Sequence, residues 1–216
     1  MTSNPDAETG LTILAADTSS PILSVALARS DRLVAEAAFE GRNSRNQRLL
    51  PAIDWMLAES GTARGDIGLL VVTRGPGSFT GVRVGLATFQ GLALALSCAI
   101  CAFSTHEVAL CAGLGPNILV FDDAGRGEFY ASGYWEGQEK LSPCLVTQGR
   151  LEELRRDYKV SIDMRELTTR SNLAVLAAAR AREIIGMGKA DHYGETTPIY
   201  VRLAEAEVKR QQKNHA

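Results

Sequence analysis

Residues 69–96 read LLVVTRGPGSFTGVRVGLATFQGLALAL and carry the strongest structural signal in this chain. A short β-branched apolar run comes first, a glycine-rich turn follows, and a long segment with almost no charge completes the stretch. A strand, a glycine-rich turn and a helix in this order direct backbone N–H groups at the helix start toward an anion. The helix is also apolar on more sides than one neighbouring sheet can cover. We therefore expect more than one surface to pack against it.

The same order of elements occurs twice along the chain. Residues 13–17 (ILAAD) and 118–122 (ILVFD) each open a run of three strand-like segments, followed by a helix, a short strand and a long apolar helix. This βββαβα pattern predicts an α/β protein with two similar lobes, each a mixed sheet covered by helices. Lobe I is expected at residues 11–103 together with the C-terminal residues 203–216, and lobe II at residues 104–202.

The composition is that of an ordinary globular protein with little net charge. Of 216 residues, 45% are hydrophobic and 22% charged, and the formal net charge is −2. This charge excludes a protein that holds nucleic acid through its own basic field. Residues 1–10 are polar and lack the apolar core of a signal peptide, so we expect a disordered tail there.

Residues 84–101 form a nearly uncharged run that is long enough to span a membrane. Gln90 interrupts the run, and a strand is expected to start near Cys98. Both features favour a buried helix of a soluble protein. We therefore expect a cytoplasmic protein that makes no contact with a membrane.

A carboxylate and three hydroxyls follow the first predicted strand, at residues 17–20 (DTSS). Such groups can hold a hydrated Mg²⁺ or a phosphate, and they also suit a turn in which side chains bond their own backbone. The turn at residues 75–81 (GPGSFTG) is not a Walker loop; it can form an anion nest, or a rigid turn that presents Phe79 to another surface. The residues that would bind a nucleotide or other anion are Asp17, Thr18, Gly75, Gly77, Ser78 and Gly81.

Two predicted helices, residues 46–60 and 81–97, carry apolar side chains on more than one stripe. Small residues at Ala87, Gly91 and Ala95 form a shallow groove that lets another helix approach closely. One stripe of each helix covers its own sheet, and the remaining stripes need a second copy or a different protein, unless the C-terminal helix covers them. The residues expected in this contact are Leu50, Ile53, Asp54, Leu57, Val84, Ala87, Thr88, Gly91, Leu92 and Ala95.

Histidine and cysteine spacing indicates neither a hydrolase nor a metal site. The three histidines, at positions 106, 192 and 215, are too far apart in sequence to form a metal-ligating pair or an evident catalytic group. Cys98 and Cys101 have half of a zinc pattern, and no second close pair completes it. We expect the four cysteines to be buried thiols in a reducing compartment and expect no metal.

Six motifs, in the order and spacing found here, resemble the bacterial TsaB (YeaZ) family. They cover nearly the whole chain, from about residue 11 to residue 203, and RGPGSFTGVRVG is highly specific. The motifs are RGPGSFTGVRVG at 74–85, ILAADTS at 13–19, QRLLPAI at 47–53, QGLAL at 90–94, RGEFY at 126–130 and PIYVR at 198–202.

The resemblance implies a two-lobed fold of the actin, sugar-kinase and Hsp70 type with a degenerate nucleotide site. It also implies a non-catalytic partner of TsaD, the homologous enzyme that transfers the threonylcarbamoyl group to adenosine 37 of ANN-decoding tRNAs. The resemblance also implies that the ATPase TsaE joins the assembly and that the protein contacts tRNA through the complex. The family contacts its partner through the two helices of the first lobe. A homodimer is an expected state of the isolated chain, no cofactor is certain, and ATP or ADP can be held at the partner boundary.

The chain departs from the family pattern in two places. The family often has His-Ser ahead of Leu-Leu-Pro, where this chain has NSRN at residues 43–46, and the common DARRGE appears as DAGRGE at residues 123–128. Two other functions stay open from the residues alone. One is a nucleotide-dependent transferase that uses Asp17, Thr18, the turn at 75–81 and Asp122, and the other, less favoured, is a peptidase.

Overall fold

A computed structural model describes residues 10–41, 45–187 and 196–201 of the chain. These residues form two mixed β-sheets with helices packed on them. The predicted fold class, a two-lobed α/β protein of the actin-like type, is confirmed. Residues 1–9 and 202–216, which include most of the predicted N-terminal tail and the C-terminal segment, lie outside the described residues.

The sheet of lobe I has five strands in the order β3-β2-β1-β4-β5. β1 is antiparallel to β2 and parallel to β4, and β5 extends the parallel half of the sheet. β1 and β4 lie inside the sheet and are almost wholly buried, which is why both read as continuous apolar runs. The strands are β1 Thr12–Asp17, β2 Ile22–Arg29, β3 Arg32–Glu40, β4 Ile67–Thr73 and β5 Ala99–Phe103.

Two helices, α1 (Arg45–Ser60) and α2 (Phe79–Leu96), pack on one face of this sheet. Leu49 and Met56 of α1 and Val82, Leu86 and Phe89 of α2 enter the same core cluster. The glycine turn predicted before α2 is present, and α2 begins two residues earlier than expected because Ser78 caps it by accepting a hydrogen bond from the Gly81 amide.

The sheet of lobe II repeats the first one with a strand fewer. Its order is β8-β7-β6-β9, with β6 antiparallel to β7 and parallel to β9, the same relations that β1 has to β2 and β4. A short helix, α4, follows β9 and was not expected from the sequence. The elements are β6 Ile118–Gly125, β7 Glu128–Trp135, β8 Gln138–Thr147, α3 Gln148–Asp157, β9 Val160–Asp163, α4 Met164–Arg170 and α5 Leu173–Gly186.

Helix α5 lies between the two sheets. It packs on β1, β2 and β4 of lobe I, on the face opposite to α1 and α2. The same core cluster includes Ile118, Val120 and Ile162 of the lobe II sheet. A single apolar core therefore joins the lobes, and α5 does not cover the outer sides of α1 and α2.

Candidate functional site: a filled cleft and an exposed helical face

The carboxylate of Asp17 is fully buried at the end of β1 and is surrounded by hydrogen-bond donors. The hydroxyls of Ser19, Ser20 and Thr73 each donate to it over 2.5 Å. The backbone amides of Ser19 and Ser20 also point at it, at 3.1 and 3.3 Å. Five donors satisfy a carboxylate without a bound cation. Asp17 thus organises its own turn, in the way the plainer of the two sequence interpretations predicts.

The glycine-rich turn at residues 75–81 packs directly onto the β1–β2 turn. The Thr18 hydroxyl donates to the Gly81 carbonyl over 2.7 Å, and the Ser78 amide donates to the Ser19 carbonyl over 2.8 Å. A Cβ on Gly77 would lie 2.6 Å from the Ser19 carbonyl oxygen, so only glycine permits this approach.

The six residues predicted to bind an anion are therefore brought together, and hydrogen bonds within the protein join Thr18 and Ser78 to Gly81. The Ser78 hydroxyl accepts from the Gly81 amide, and the Gly75 carbonyl accepts from the Thr105 amide. These contacts fit a structural role for the two turns. The anion site at these residues stays a prediction.

The space left between the lobes at this point is a cavity of about 10 Å³. That volume is close to the minimum that one water molecule requires and is far below the size of ligand pockets, which start at about 300 Å³. The lining residues are Ser19, Ser20, Pro21, Pro76, Thr105, His106, Asp122, Met164, Arg165 and Thr168.

The acidic turn of lobe II contributes Asp122 to this cavity. Burial raises the pKa of the Asp122 carboxyl to about 6, opposed by a hydrogen bond from the Asp123 amide. Asp123 lies 3.6 Å from Arg165 and accepts a hydrogen bond from the Gly125 amide. Within residues 10–41, 45–187 and 196–201, no three His, Cys, Asp or Glu side chains group closely enough to hold a metal.

The outer sides of α1 and α2 form an exposed surface that we call the α1/α2 face, defined by Leu50, Asp54, Val84, Ala87, Thr88, Gly91, Leu92, Leu94 and Ala95. The side chain of Leu50 is 49% exposed and that of Leu94 is 85% exposed. Val84, Thr88 and Leu92 are half-buried at its edge, and the three small residues spaced by four lie open. The partner contact predicted for these helices therefore has exposed apolar side chains available to it, and the contact itself stays a prediction.

Two of the expected contact residues are not on this face. Ile53 and Leu57 are only 3% and 5% exposed and belong to the lobe I core. They share a helical stripe with Leu49 and Met56, and that stripe faces the sheet, so their assignment to a partner contact is corrected. Sequence reasoning also missed Leu94, although its spacing of three residues from Gly91 and seven from Ala87 puts it on the same side of α2.

Residues 196–201 return to lobe I and run beside the α1/α2 face. The Ile199 amide donates to the Arg74 carbonyl over 2.8 Å, and the Gln90 side chain donates to the Thr196 hydroxyl over 2.9 Å. The Arg83 guanidinium donates to the Tyr200 hydroxyl over 2.7 Å. These contacts hold the segment along one edge of α2.

Phe79, predicted to point from the glycine turn toward another surface, contacts this returning segment. Its ring centroid lies 5.0 Å from that of Tyr200, and the Arg83 guanidinium lies 3.9 Å above it. Phe79 remains 37% exposed and Tyr200 42% exposed. An aromatic and cationic cluster therefore borders the α1/α2 face at the start of α2.

Within the described residues, one helix, α2, is long and apolar enough to cross a membrane by length and composition. Only 28% of its window is buried inside the protein. It nevertheless packs on the lobe I sheet through Val82, Leu86 and Phe89. One side of α2 is therefore buried on its own sheet, as the sequence predicts, and the opposite side is exposed.

The cysteines of the described residues are free thiols. Burial raises the pKa of Cys101 to about 11 and that of Cys111 to about 12, which keeps both thiols protonated at neutral pH. Burial also raises the pKa values of Cys98 and Cys144. None of the four has the lowered pKa of a reactive cysteine.

Comparisons with known proteins agree with the motifs. A family model described as TsaD, tRNA N6-adenosine threonylcarbamoyltransferase, matches residues 41–189. The chain is 33% identical to the tRNA threonylcarbamoyladenosine biosynthesis protein TsaB of Bacillus subtilis (strain 168), over 92% of this chain and 97% of that protein. The chain belongs to the TsaB (YeaZ) family. The resemblance drawn from the motifs is confirmed.

Further TsaB-family relatives support this membership and the fold. The Escherichia coli (strain K12) protein TsaB is 35% identical over 68% of each chain. The solved structure of YeaZ from Pseudomonas aeruginosa superposes with a TM-score of 0.70 at 24% identity, and covers 88% of this chain and 99% of that chain. At that identity the superposition speaks for the fold alone.

Proposed function

We propose that this protein is a non-catalytic partner of a TsaD-type threonylcarbamoyltransferase, acting in the formation of N6-threonylcarbamoyladenosine at position 37 of ANN-decoding tRNAs. Its relatives in Bacillus subtilis and Escherichia coli are named for the biosynthesis of threonylcarbamoyladenosine in tRNA. The observation that carries the proposal is the exposed α1/α2 face. The protein binds the enzyme with this face and stabilises it in the assembly that also contains the ATPase TsaE.

The shape of the α1/α2 face suits a helical partner. Ala87, Gly91 and Ala95 recur every four residues, and a Cβ on Gly91 would meet no atom within 4 Å. Such a row of small residues lets a partner helix come close to α2. Leu50 and Leu94 flank the row with exposed apolar area, each worth about 1–2 kcal/mol when covered. A homologous lobe of the partner TsaD, with two exposed helices in the corresponding positions, has a surface complementary to the α1/α2 face.

The filled cleft supports a non-catalytic role. A nucleotide-dependent transferase of this fold needs space beside the β1–β2 turn, and here that turn packs onto the turn at residues 75–81 and leaves a cavity of only about 10 Å³. The net charge of −2 is also too low to hold tRNA by phosphate neutralisation, so tRNA binds through the complex. We place the protein in the cytoplasm, where its free thiols stay reduced.

The decisive experiment compares two glycine-to-arginine variants. Gly91→Arg inserts a long cation into the α1/α2 face, whereas Gly149→Arg puts the same side chain on exposed helix α3 of lobe II, where a Cβ also meets no atom within 4 Å. Both variants should fold, as circular dichroism would check. We expect Gly91→Arg to weaken binding to TsaD at least about tenfold and to abolish tRNA modification reconstituted with TsaD and TsaE. Gly149→Arg should leave both unchanged.

Retention of TsaD binding by Gly91→Arg would overturn the assignment of the face. Full modification activity when the chain is omitted would overturn the function itself. A homodimer through the same face is our proposal for the isolated chain, and sedimentation of Gly91→Arg should then show a monomer. ATP or ADP at the partner boundary stays a prediction that calorimetry on the chain alone and on its complex with TsaD would test.

A further inference from the structure

The cavity between the lobes contains an unsatisfied imidazole nitrogen. His106 is fully buried, and its Nδ1 lies 2.8 Å from the hydroxyl oxygen of Ser132. Its Nε2 is buried, and no hydrogen-bonding group of the described residues reaches it. His106 lines the cavity, whereas Ser132 does not. The nitrogen on the far side of the ring is therefore the one that can face the open space.

The tautomer of His106 follows from the needs of Ser132. Ser132 is fully buried, and His106 Nδ1 is the hydrogen-bond partner of its hydroxyl among the described residues. The hydroxyl proton has an acceptor only if Nδ1 is unprotonated. Burial lowers the pKa of His106 to about 3, so the ring is neutral near pH 7 and its single proton is on Nε2. The ring thus carries a buried N–H donor that has no acceptor among the described residues.

Two acceptors line the same cavity from other elements. The Ser19 hydroxyl gives its proton to Asp17, so the Thr105 hydroxyl, 2.8 Å from Ser19, must donate to it and keeps its own lone pairs available. Asp122 presents a half-buried side chain with a carboxyl acceptor from β6 of lobe II. A water molecule typically makes about three hydrogen bonds in a buried site. One donor and two acceptors around a space of about 10 Å³ match that requirement.

We propose that one internal water molecule occupies this cavity, accepts a hydrogen bond from His106 Nε2–H, and donates to Thr105 Oγ1 and the Asp122 carboxyl. The water joins Thr105 and His106, which follow β5, to β6 in lobe II. The water keeps the lobes together and does not depend on the partner proposed above.

Two measurements on the unmodified protein test this site. A high-resolution crystal structure should show one water at hydrogen-bonding distance from Nε2, Thr105 and Asp122. The ¹⁵N chemical shifts of the His106 ring should show the Nε2–H tautomer, and a water-to-ring magnetisation transfer should report a bound lifetime longer than that of surface water. An empty cavity, a protein group bonded to Nε2, or the Nδ1–H tautomer would each overturn the proposal.

A matched pair of variants tests whether His106 holds the water or whether the water is trapped by the surrounding packing alone. His106→Leu removes the donor, and we expect its crystal structure to lack the water. Asp122→Asn keeps an oxygen acceptor in the same place, and we expect the water to remain. If His106→Leu does not fold, the tautomer and water measurements on the unmodified chain still decide the question. Water retained in a folded His106→Leu protein would show that His106 does not hold it.

Discussion

The hydroxyl of Thr18 donates a hydrogen bond to the carbonyl oxygen of Gly81 over 2.7 Å, and so joins two turns that are 63 residues apart in sequence. The bond is buried and closes the gap between the β1–β2 turn and the start of α2. An anion would enter at this gap. The hydrogen bond between Thr18 and Gly81 closes the gap and fastens the two turns together. Substitutions of Thr18 and of the residues around it test the contribution of this contact to stability.

Replacing Thr18 with valine keeps the side-chain shape and removes the hydroxyl. The Gly81 carbonyl then loses a buried donor, and we expect the free energy of unfolding to fall by about 1–2 kcal/mol. Urea denaturation would measure it. Thr80→Val, at an exposed position in the first turn of α2, is the control and should change stability by less than about 0.5 kcal/mol. Equal effects of the two variants would show that the bond contributes nothing.

Alanine at Gly85 should destabilise the protein, whereas alanine at Gly91 should not. A Cβ on Gly85 would lie 2.3 Å from Thr18 Oγ1 and 3.3 Å from Val72 Cγ2. We expect a cost of about 1–3 kcal/mol for this crowding. Gly91→Ala, in the same helix with open space around it, should gain up to about 1 kcal/mol from helix propensity.

A double-mutant cycle identifies the source of the cost at Gly85. Thr18→Ala removes the atom that the new Cβ would strike, so the double variant should be more stable than the sum of the single changes by at least about 0.5 kcal/mol. Thermal unfolding of the four proteins gives the coupling. If the effects of Gly85→Ala and Thr18→Ala on stability simply add, the crowding at Gly85 does not involve Thr18.

Asp17→Asn should be strongly destabilising although the shape barely changes. The new amide N–H₂ group would face hydroxyl and backbone donors that now point at a carboxylate oxygen. We expect a loss of about 2–4 kcal/mol in the free energy of unfolding. Asp31→Asn, in the exposed β2–β3 turn, is the matched control and should be nearly neutral. A stable Asp17→Asn protein would contradict the structural role given to this residue.

Stability at acid pH should depend on His106 and Asp122 with opposite signs. Burial lowers the pKa of His106 to about 3. Between about pH 6.5 and pH 3, the imidazole is therefore protonated in the unfolded chain and neutral in the folded protein. His106 therefore contributes stability above pH 6.5 that is lost as the pH falls. Burial raises the pKa of Asp122 to about 6, so the folded protein holds a proton that the unfolded chain releases, and stability increases as the pH falls from about 6 to 4.

Urea denaturation between about pH 4.5 and pH 6.5 separates the two contributions. His106→Leu should lose less stability on acidification than the unmodified protein, and Asp122→Asn should lose more. Each difference is limited to about 1.4 kcal/mol per pH unit for one proton. Parallel curves for all three proteins would mean that neither group titrates differently on folding.

Local pattern was sufficient for the elements and for their repeat. Continuous apolar runs indicated the buried strands β1 and β4, and the glycine-rich turn marked the start of α2. The small residues at Ala87, Gly91 and Ala95 predicted one open side of α2, and the motifs indicated the family. These inferences succeed because strand burial, caps and helical periodicity depend on residues close in sequence.

Long-range packing determined the rest. Helical spacing could not tell which of two apolar stripes on α1 faces the sheet, so Ile53 and Leu57 were assigned to the wrong side. Likewise, Asp17, Thr18 and Gly77 have the chemistry of an anion site, and only the structure shows their contacts with residues about 60 positions away.

The sequence by itself determined the family, the two-lobed α/β fold and the presence of surplus apolar surface on the lobe I helices. The tertiary structure alone decided which side of each helix is exposed, that α5 lies between the sheets, and that the β1–β2 turn packs onto the turn before α2. The physical reason is that the type of a side chain limits which groups it can bond, whereas the fold determines which of those groups lie close enough to bond it.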